Sequence, residues 1–247
     1  MHNDDTPVGR LLTRREILAL LGGAGAALAI APPLRRGPLL LHDGTRIPAC
    51  VVRPAQMEGP YFVDTKLNRS DIRSDPGSGQ VPGGLPFDLT LNVSKMSGAS
   101  CAPLAGVLVD IWQCDADGVY SGVKDTDGLF DTRGKSFLRG HQITDAQGRA
   151  RFTTIYPGWY PGRTVHIHFK LRTQPNAARG EEFTSQLYFE DSVSDRIFTR
   201  EPYRSHTGRR TLNQADGIFR DGGQELMVAV TESGSALAGS FDVAFQA

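Results

Sequence analysis

Apolar and polar residues alternate along much of the chain from residue 85 onward. Leu85, Phe87, Leu89, Leu91 and Val93 interleave with Pro86, Asp88, Thr90 and Asn92. That period of two marks a half-buried strand. A second β-rich run, GVLVDIWQ at 106–113, follows the turn-rich KMSGASCAP. Residues 141–155 (HQITDAQGRARFTTI) predict a hairpin with its turn at 145–148,. Alternation returns at 163–171 and again at Phe241, Val243 and Phe245. Loops rich in Gly, Asp and Pro separate these runs at 69–84, 115–136 and 173–182,. Residues 193–198 suit one short turn of helix. Many short strands with turn signals predict a mainly-β fold: an antiparallel sandwich or barrel-like core with long loops and little helix. No internal repeat or interdomain linker is visible.

The first 36 residues follow a different pattern. Arg10, Arg14 and Arg15 precede ILALLGGAGAALAIA at 17–31, which carries no charge. Fifteen apolar or small residues are short for a membrane span and suit the core of a signal peptide. Thr13-Arg14-Arg15-Glu16-Ile17-Leu18 resembles the twin-arginine export signal of bacteria,. Ala29-Ile30-Ala31 offers a cleavage site, with Pro32 an awkward residue directly after it. The expected organisation is a signal and linker at 1–36 and one β domain at 37–247. Export would leave no stable membrane span; the alternative is an N-terminal anchor that is never removed.

Composition narrows the function. The 247 residues include 27 basic and 27 acidic ones. That balance argues against nucleic acid and against a polybasic membrane surface as partners. Hydrophobic residues at 39% can supply a core, and 28 glycines with 15 prolines favour turns over long helices,. Cys50, Cys101 and Cys114 allow at most one disulfide,. Cys101 and Cys114 flank one extended strand and lie too far apart to bond. Cys50 could pair with either, or all three stay reduced in the cytoplasm.

Candidate chemistry concentrates at Val165-His166-Ile167-His168-Phe169-Lys170-Leu171. On a strand, Val165, Ile167, Phe169 and Leu171 share the core face, and His166 and His168 share the other. Two imidazoles so placed can converge on one metal ion. The preceding YPGWYPGR at 156–163 is a tight excursion that can fold the Tyr160 phenol back over them. A phenol, with a pKa of about 10, becomes a good ligand only beside a hard, highly charged cation such as ferric iron. The run from Asp110 to Gly122 carries a second tyrosine, Tyr120. Its Asp115-Ala116-Asp117-Gly118, like Asp125-Thr126-Asp127-Gly128, lacks the full ligand pattern of a calcium-binding EF-hand and reads as a turn,. A cupin would need an acid soon after His168, where the chain reads FKLRT; a serine hydrolase would need a G-x-S-x-G motif.

Glu58-Gly59-Pro60-Tyr61, DIWQCDADGVYSG, YPGWYPGRTVHIHF and Gln186-Leu187-Tyr188-Phe189 occur in that order. Together they resemble the intradiol ring-cleavage dioxygenases, the family of catechol and protocatechuate dioxygenases. The resemblance implies one non-haem Fe(III) per chain held by Tyr120, Tyr160, His166 and His168. It implies that Tyr160 leaves when substrate chelates the iron, and that Arg163, with Gln186 beside it, stabilises charge on the substrate. It implies a substrate pocket lined by Gly59, Pro60 and Tyr61. The reaction implied is cleavage of a catechol-type diol between its hydroxyl carbons by O2, giving a muconic acid. One chain carrying all four ligands could work alone or as a homo-oligomer. A reading from another class is a non-catalytic β-sandwich binding module derived from this fold; iron content separates the two.

Overall fold

The computed structural model describes residues 51–97, 100–173, 180–233 and 236–246. Residues 1–36, expected to be an export signal and linker, and Cys50 lie outside the described residues. Among the described residues, nine strands form two sheets. The first contains β1 (Pro86–Ser97), β2 (Ser100–Pro103), β5 (Arg149–Ile155), β8 (Ala229–Ser233) and β9 (Ala236–Gln246). Along one edge of β1, β5 pairs with its first half and β2 with its end; β9 takes the other edge, with β8 beyond it. The second sheet is antiparallel throughout, in the order β4 (Arg139–Ile143), β3 (Leu108–Trp112), β6 (His166–Arg172), β7 (Glu182–Tyr188).

The alternation read from the sequence makes the core. Phe87, Leu89, Leu91 and Val93 of β1 are buried, as are Phe241, Val243 and Phe245 of β9. They belong to one cluster with Val109, Ile111, Ile167, Phe169 and Leu171 of the second sheet. Phe169 meets Phe241 across the cluster, with ring centroids 5.9 Å apart. Burying such a side chain stabilises the fold by about 1.5–3 kcal/mol. The fold is mainly β, as expected. One pairing differs from the antiparallel expectation: β1 and β9 run parallel from Phe87↔Leu237 to Met96↔Gln246.

The hairpin expected at 141–155 does not form. Its turn does: Gly148 N–H donates to Asp145 O at 2.8 Å and Asp145 N–H to Arg149 O at 3.0 Å. Beyond the turn the arms part, β4 joining the second sheet and β5 the first. Residues 67–72 run between them. His141 N–H donates to Leu67 O and Arg69 N–H to His141 O, while Thr153 N–H donates to Ser70 O and Ile72 N–H to Thr153 O. The edges that would have paired are thus already occupied.

Helix is sparse. α1 (Asp191–Ile197) overlaps the short turn expected at 193–198, starting two residues earlier and ending one residue sooner. α2 (Gly217–Arg220), with no forewarning in the periodicity, is capped by Asp216, whose carboxylate accepts from Ile218 and Phe219 N–H,. No helix among the described residues is long and apolar enough to cross a membrane. Cys114 is a buried free thiol, and Cys101 is disulfide-bonded. The two therefore do not pair with each other, as their separation along the chain required.

Candidate metal centre and active site

One cross-strand row organises the site. Arg139 of β4, Trp112 of β3, His168 of β6 and Gln186 of β7 stand directly opposite one another. Opposed residues of antiparallel strands project from the same face. His166 stands opposite Tyr188 in the next row. This face points away from the core, yet His166, His168 and Lys170 are buried. Loops cover it.

Two loops bring in the phenols. After β3 the chain reverses at 115–119, where the Asp115 carboxylate accepts from Asp117 and Val119 N–H. The Asp125 carboxylate does the same for Asp127 and Leu129. Both acidic motifs are therefore turns, as expected. The 156–160 excursion packs backbone to backbone on the first turn. A Cβ at Gly118 would lie 2.3 Å from Trp159 O, and one at Gly158 would lie 2.3 Å from Asp115 O. Only glycine allows this approach. It places the Tyr120 and Tyr160 rings edge to face, 5.8 Å apart. Tyr156 goes elsewhere, its hydroxyl 2.7 Å from Ser194 Oγ and its ring in the core.

The four candidate ligands converge. His166 Nε2 lies 3.3 Å from Tyr120 Oη, 3.2 Å from Tyr160 Oη and 3.1 Å from His168 Nε2. His166 Nδ1 lies 2.6 Å from Thr164 O. A proton on Nδ1 satisfies that carbonyl and turns the Nε2 lone pair inward. One lone pair then faces three neighbours and can accept one good hydrogen bond. The arrangement is poor as a hydrogen-bonded cluster and suits a cation shared by two nitrogens and two oxygens. Among the described residues no group of three or more His, Cys, Asp or Glu could hold a metal ion. A metal here depends on the phenols.

Burial sets the protonation of these four groups. It holds the His166 imidazole down at about 3, with the nearby Arg163 cation adding to the effect. It holds His168 well below the usual histidine value, with His166 and Arg163 adding to it. The same burial pushes the Tyr120 and Tyr160 phenols up. All four groups are neutral near pH 7. The imidazoles need no deprotonation to bind a metal, and the phenols need a strong cation to lose theirs. Tyr120 is fully buried, whereas Tyr160 as a residue keeps part of its surface exposed.

The remaining candidate residues surround this cluster. Arg163 donates from Nε to Asp216 Oδ2 at 2.9 Å and from Nη2 to Gln186 Oε1. Gln186 also donates to Met57 O and accepts from the Tyr188 hydroxyl. Gly59 lies against His168: a Cβ there would sit 3.5 Å from Cε1. The Tyr61 ring packs on Tyr120 with centroids 4.8 Å apart, and its hydroxyl donates to Asp125 Oδ1 at 2.5 Å. Burial and that carboxylate push the Tyr61 phenol up to about 12. Pro60, between them, is exposed. Lys170 pairs with Glu58 and sits 4.4 Å over the Phe62 ring, fixing both ends of this segment to β6.

Sequence reasoning missed three neighbours of the cluster. Trp112 stacks flat on His168, with centroids 4.9 Å apart. Arg139 is buried beside Ser121. Asp216 accepts from Arg163 Nε and Thr164 N–H, 2.9 Å each. Asp216 had one local signal, its place before Gly217 as a helix cap; nothing local pointed to Arg163.

A two-sheet β fold with paired histidines and paired tyrosines on one covered face defines a class of candidate metalloenzyme. Comparison with known proteins makes the assignment particular. Residues 57–227 match the family model Dioxygenase_C, described as dioxygenase, and the chain belongs to this dioxygenase family. The protocatechuate 3,4-dioxygenase beta chain of Burkholderia cepacia is 32% identical over 150 residues, 57% of each protein. A chlorocatechol 1,2-dioxygenase of Pseudomonas sp. strain P51 is 30% identical over 165 residues, 56% of this chain and 55% of that one. The chain spans about a third to somewhat over half the length of the curated relatives it matches. Among solved structures, an intradiol ring-cleavage dioxygenase from Tetranychus urticae is 32% identical with a TM-score of 0.67, covering 79% of this chain and 94% of that one. The dioxygenase domain of a dioxygenase–carbohydrate-binding fusion from Streptomyces sp. SirexAA-E is also 32% identical, with a TM-score of 0.55, covering 79% and 99%.

Proposed function

We propose that the chain is a non-haem Fe(III) dioxygenase. It opens the ring of a catechol-type diol between the two hydroxyl carbons with O2, giving a muconic acid. The observation that carries this reading is the convergence of Tyr120, Tyr160, His166 and His168 on one point. These four would hold the ion. When bound, ferric iron supplies Lewis acidity and a template for both diol oxygens.

The protein's own groups supply the rest. With the ion bound, Tyr160 would be a phenolate, and its Oη would accept a proton from a catechol hydroxyl. Tyr120 lies sealed in the interior. Arg163 is a permanent cation whose donors point in fixed directions. Asp216 and Gln186 hold its plane, so it stabilises negative charge on the reacting ring without having to reorient,. Gly59 lies against His168 and would form part of the wall against which the ring lies.

The test is the visible spectrum of the purified protein, before and after adding catechol without O2. A tyrosinate-to-iron band that shifts with catechol, followed by muconate formation on admitting O2, supports the reading. A protein that stays colourless after ferric iron is supplied overturns it. We also propose that residues 1–36 are a twin-arginine export signal. N-terminal sequencing of the mature protein after export tests this: a start soon after Ala31 supports it, and an intact Met1 overturns it.

A further inference from the structure

We propose that Arg139 is a positioning residue that locks the turn carrying Tyr120 to the segment carrying Tyr61, so that the two move as one body. Its consequence for catechol binding rests on the reading above. The lock itself does not.

Arg139 is 2% exposed. Its Nε donates to Ser121 Oγ at 2.9 Å, its Nη2 to Ser121 O, and its Nη1 to Tyr61 O at 2.8 Å. One planar fork thus grips the residue after Tyr120 and the backbone of Tyr61. Those two residues lie 60 positions apart in sequence by their numbers. The acceptors are all uncharged oxygens, and no Asp or Glu among the described residues makes an ion pair with Arg139. Arg163, bonded to Gln186 at the opposite end of the same row, has Asp216. A buried guanidinium with neutral partners alone is costly, and burial pushes the Arg139 pKa down to about 10,. Packing does not require that cost, since an apolar side chain would fill the space. Geometry does: three fixed donors reaching two separate chain segments are what guanidinium offers and ammonium does not.

The backbone is committed to the same end. Leu138, directly before Arg139, is buried with a φ of 55°, a conformation a leucine rarely adopts,. Its N–H donates to Ile72 O and its carbonyl accepts from Gln113 N–H. This kink opens β4 and leaves Arg139 opposite Trp112, on the face of the cluster. Lys170 also anchors the 58–62 segment, through Glu58 and Phe62. Arg139 holds both this segment and the Tyr120 turn.

Hydrogen exchange on the metal-free protein tests the lock. Arg139→Gln and Arg139→Lys are each expected to raise exchange at least tenfold in both 59–63 and 121–123, with β1 and β9 unchanged. Because lysine keeps the charge and loses the fork, equal effects from the two variants assign the role to geometry. Acceleration in only one segment, or in neither, overturns the proposal. Should both variants fail to fold, Ser121→Ala decides. It removes one acceptor of Arg139, and Ser121 makes no hydrogen bond to Tyr61. Faster exchange at 59–63 in that variant supports the lock; unchanged exchange there overturns it. In the iron-loaded enzyme, Arg139→Lys is expected to raise KM for catechol at least tenfold with kcat within about threefold. A wild type without iron band or turnover would defeat the proposed function and leave the exchange result standing.

Discussion

The two faces of β6 are both buried and were buried by different means. Ile167, Phe169 and Leu171 face the other sheet and join a continuous apolar cluster. His166, His168 and Lys170 face outward and are sealed by three separate stretches of loop, at 58–62, 113–123 and 156–163. Hydrophobic transfer suffices for the first face, and it tolerates approximate fits. The second face places polar groups out of water, so each must find a partner or wait for one. The cluster around His166 Nε2 is over-supplied with donors for one lone pair. A core face is filled by apolar contact; a site face gathers polar groups around a shared point.

Substitutions on opposite faces should therefore separate cleanly. The largest effect is expected from His166→Ala or His168→Ala: iron per chain, by metal analysis, falls to background. Ile167→Val, between them, costs about 0.5–1.5 kcal/mol in denaturant unfolding and keeps its iron. Arg163→Met should retain iron while kcat falls by roughly 10²-fold or more, since a preorganised donor to developing charge is lost. A variant turning over at the wild-type rate would remove Arg163 from the mechanism. Phe169→Ala should cost about 3–5 kcal/mol of stability, measured by urea unfolding, and leave the iron band of the folded fraction unmoved.

Asp216 gives a pH test of the polar face. Burial opposes its ionisation, yet the Arg163 guanidinium and the Thr164 and Ile218 N–H groups outweigh burial and hold its pKa below the usual value. The folded state therefore prefers the carboxylate. That contribution is full above the unfolded pKa of about 4 and is lost as pH falls through the lower folded value. Asp216→Asn should flatten this part of the stability–pH curve; an unchanged acid limb would dismiss the carboxylate as its source. The smallest effect is expected at the exposed Asp131–Arg133 pair, where Asp131→Asn should leave the melting temperature unchanged,.

Legibility followed the same division. The apolar face of β6 and the strands at 85–93 and 241–245 were readable because a period of two is a local signal. The histidine pair was readable for the same reason. Tyr120 and Tyr160 were separable from the other tyrosines by resemblance, since nothing in periodicity distinguishes Tyr160 from Tyr156. Trp112, Arg139 and Asp216 were not legible as neighbours of the cluster. Their places depend on strand register and on contacts made across loops, such as the bond joining Arg163 to Asp216 over 53 residues. The failed hairpin has the same origin. Residues 141–155 look like two strands and a turn, and they are; what parts them is the 67–72 segment, whose hydrogen bonds carry no periodic signature.

The parallel pairing of β1 with β9 also sets an order in time. Asn92 and Asp242, joined side chain to side chain, are 150 residues apart. During synthesis β1 exists long before the strand that will occupy one whole edge of it. Until then β2 and β5 can cover only the opposite edge, and the growing chain carries an open strand able to accept the wrong neighbour. Closing so large a loop costs little more entropy than closing a modest one, but it makes folding slow. Completion of the five-stranded sheet is thus delayed until all the residues between these two strands have been made.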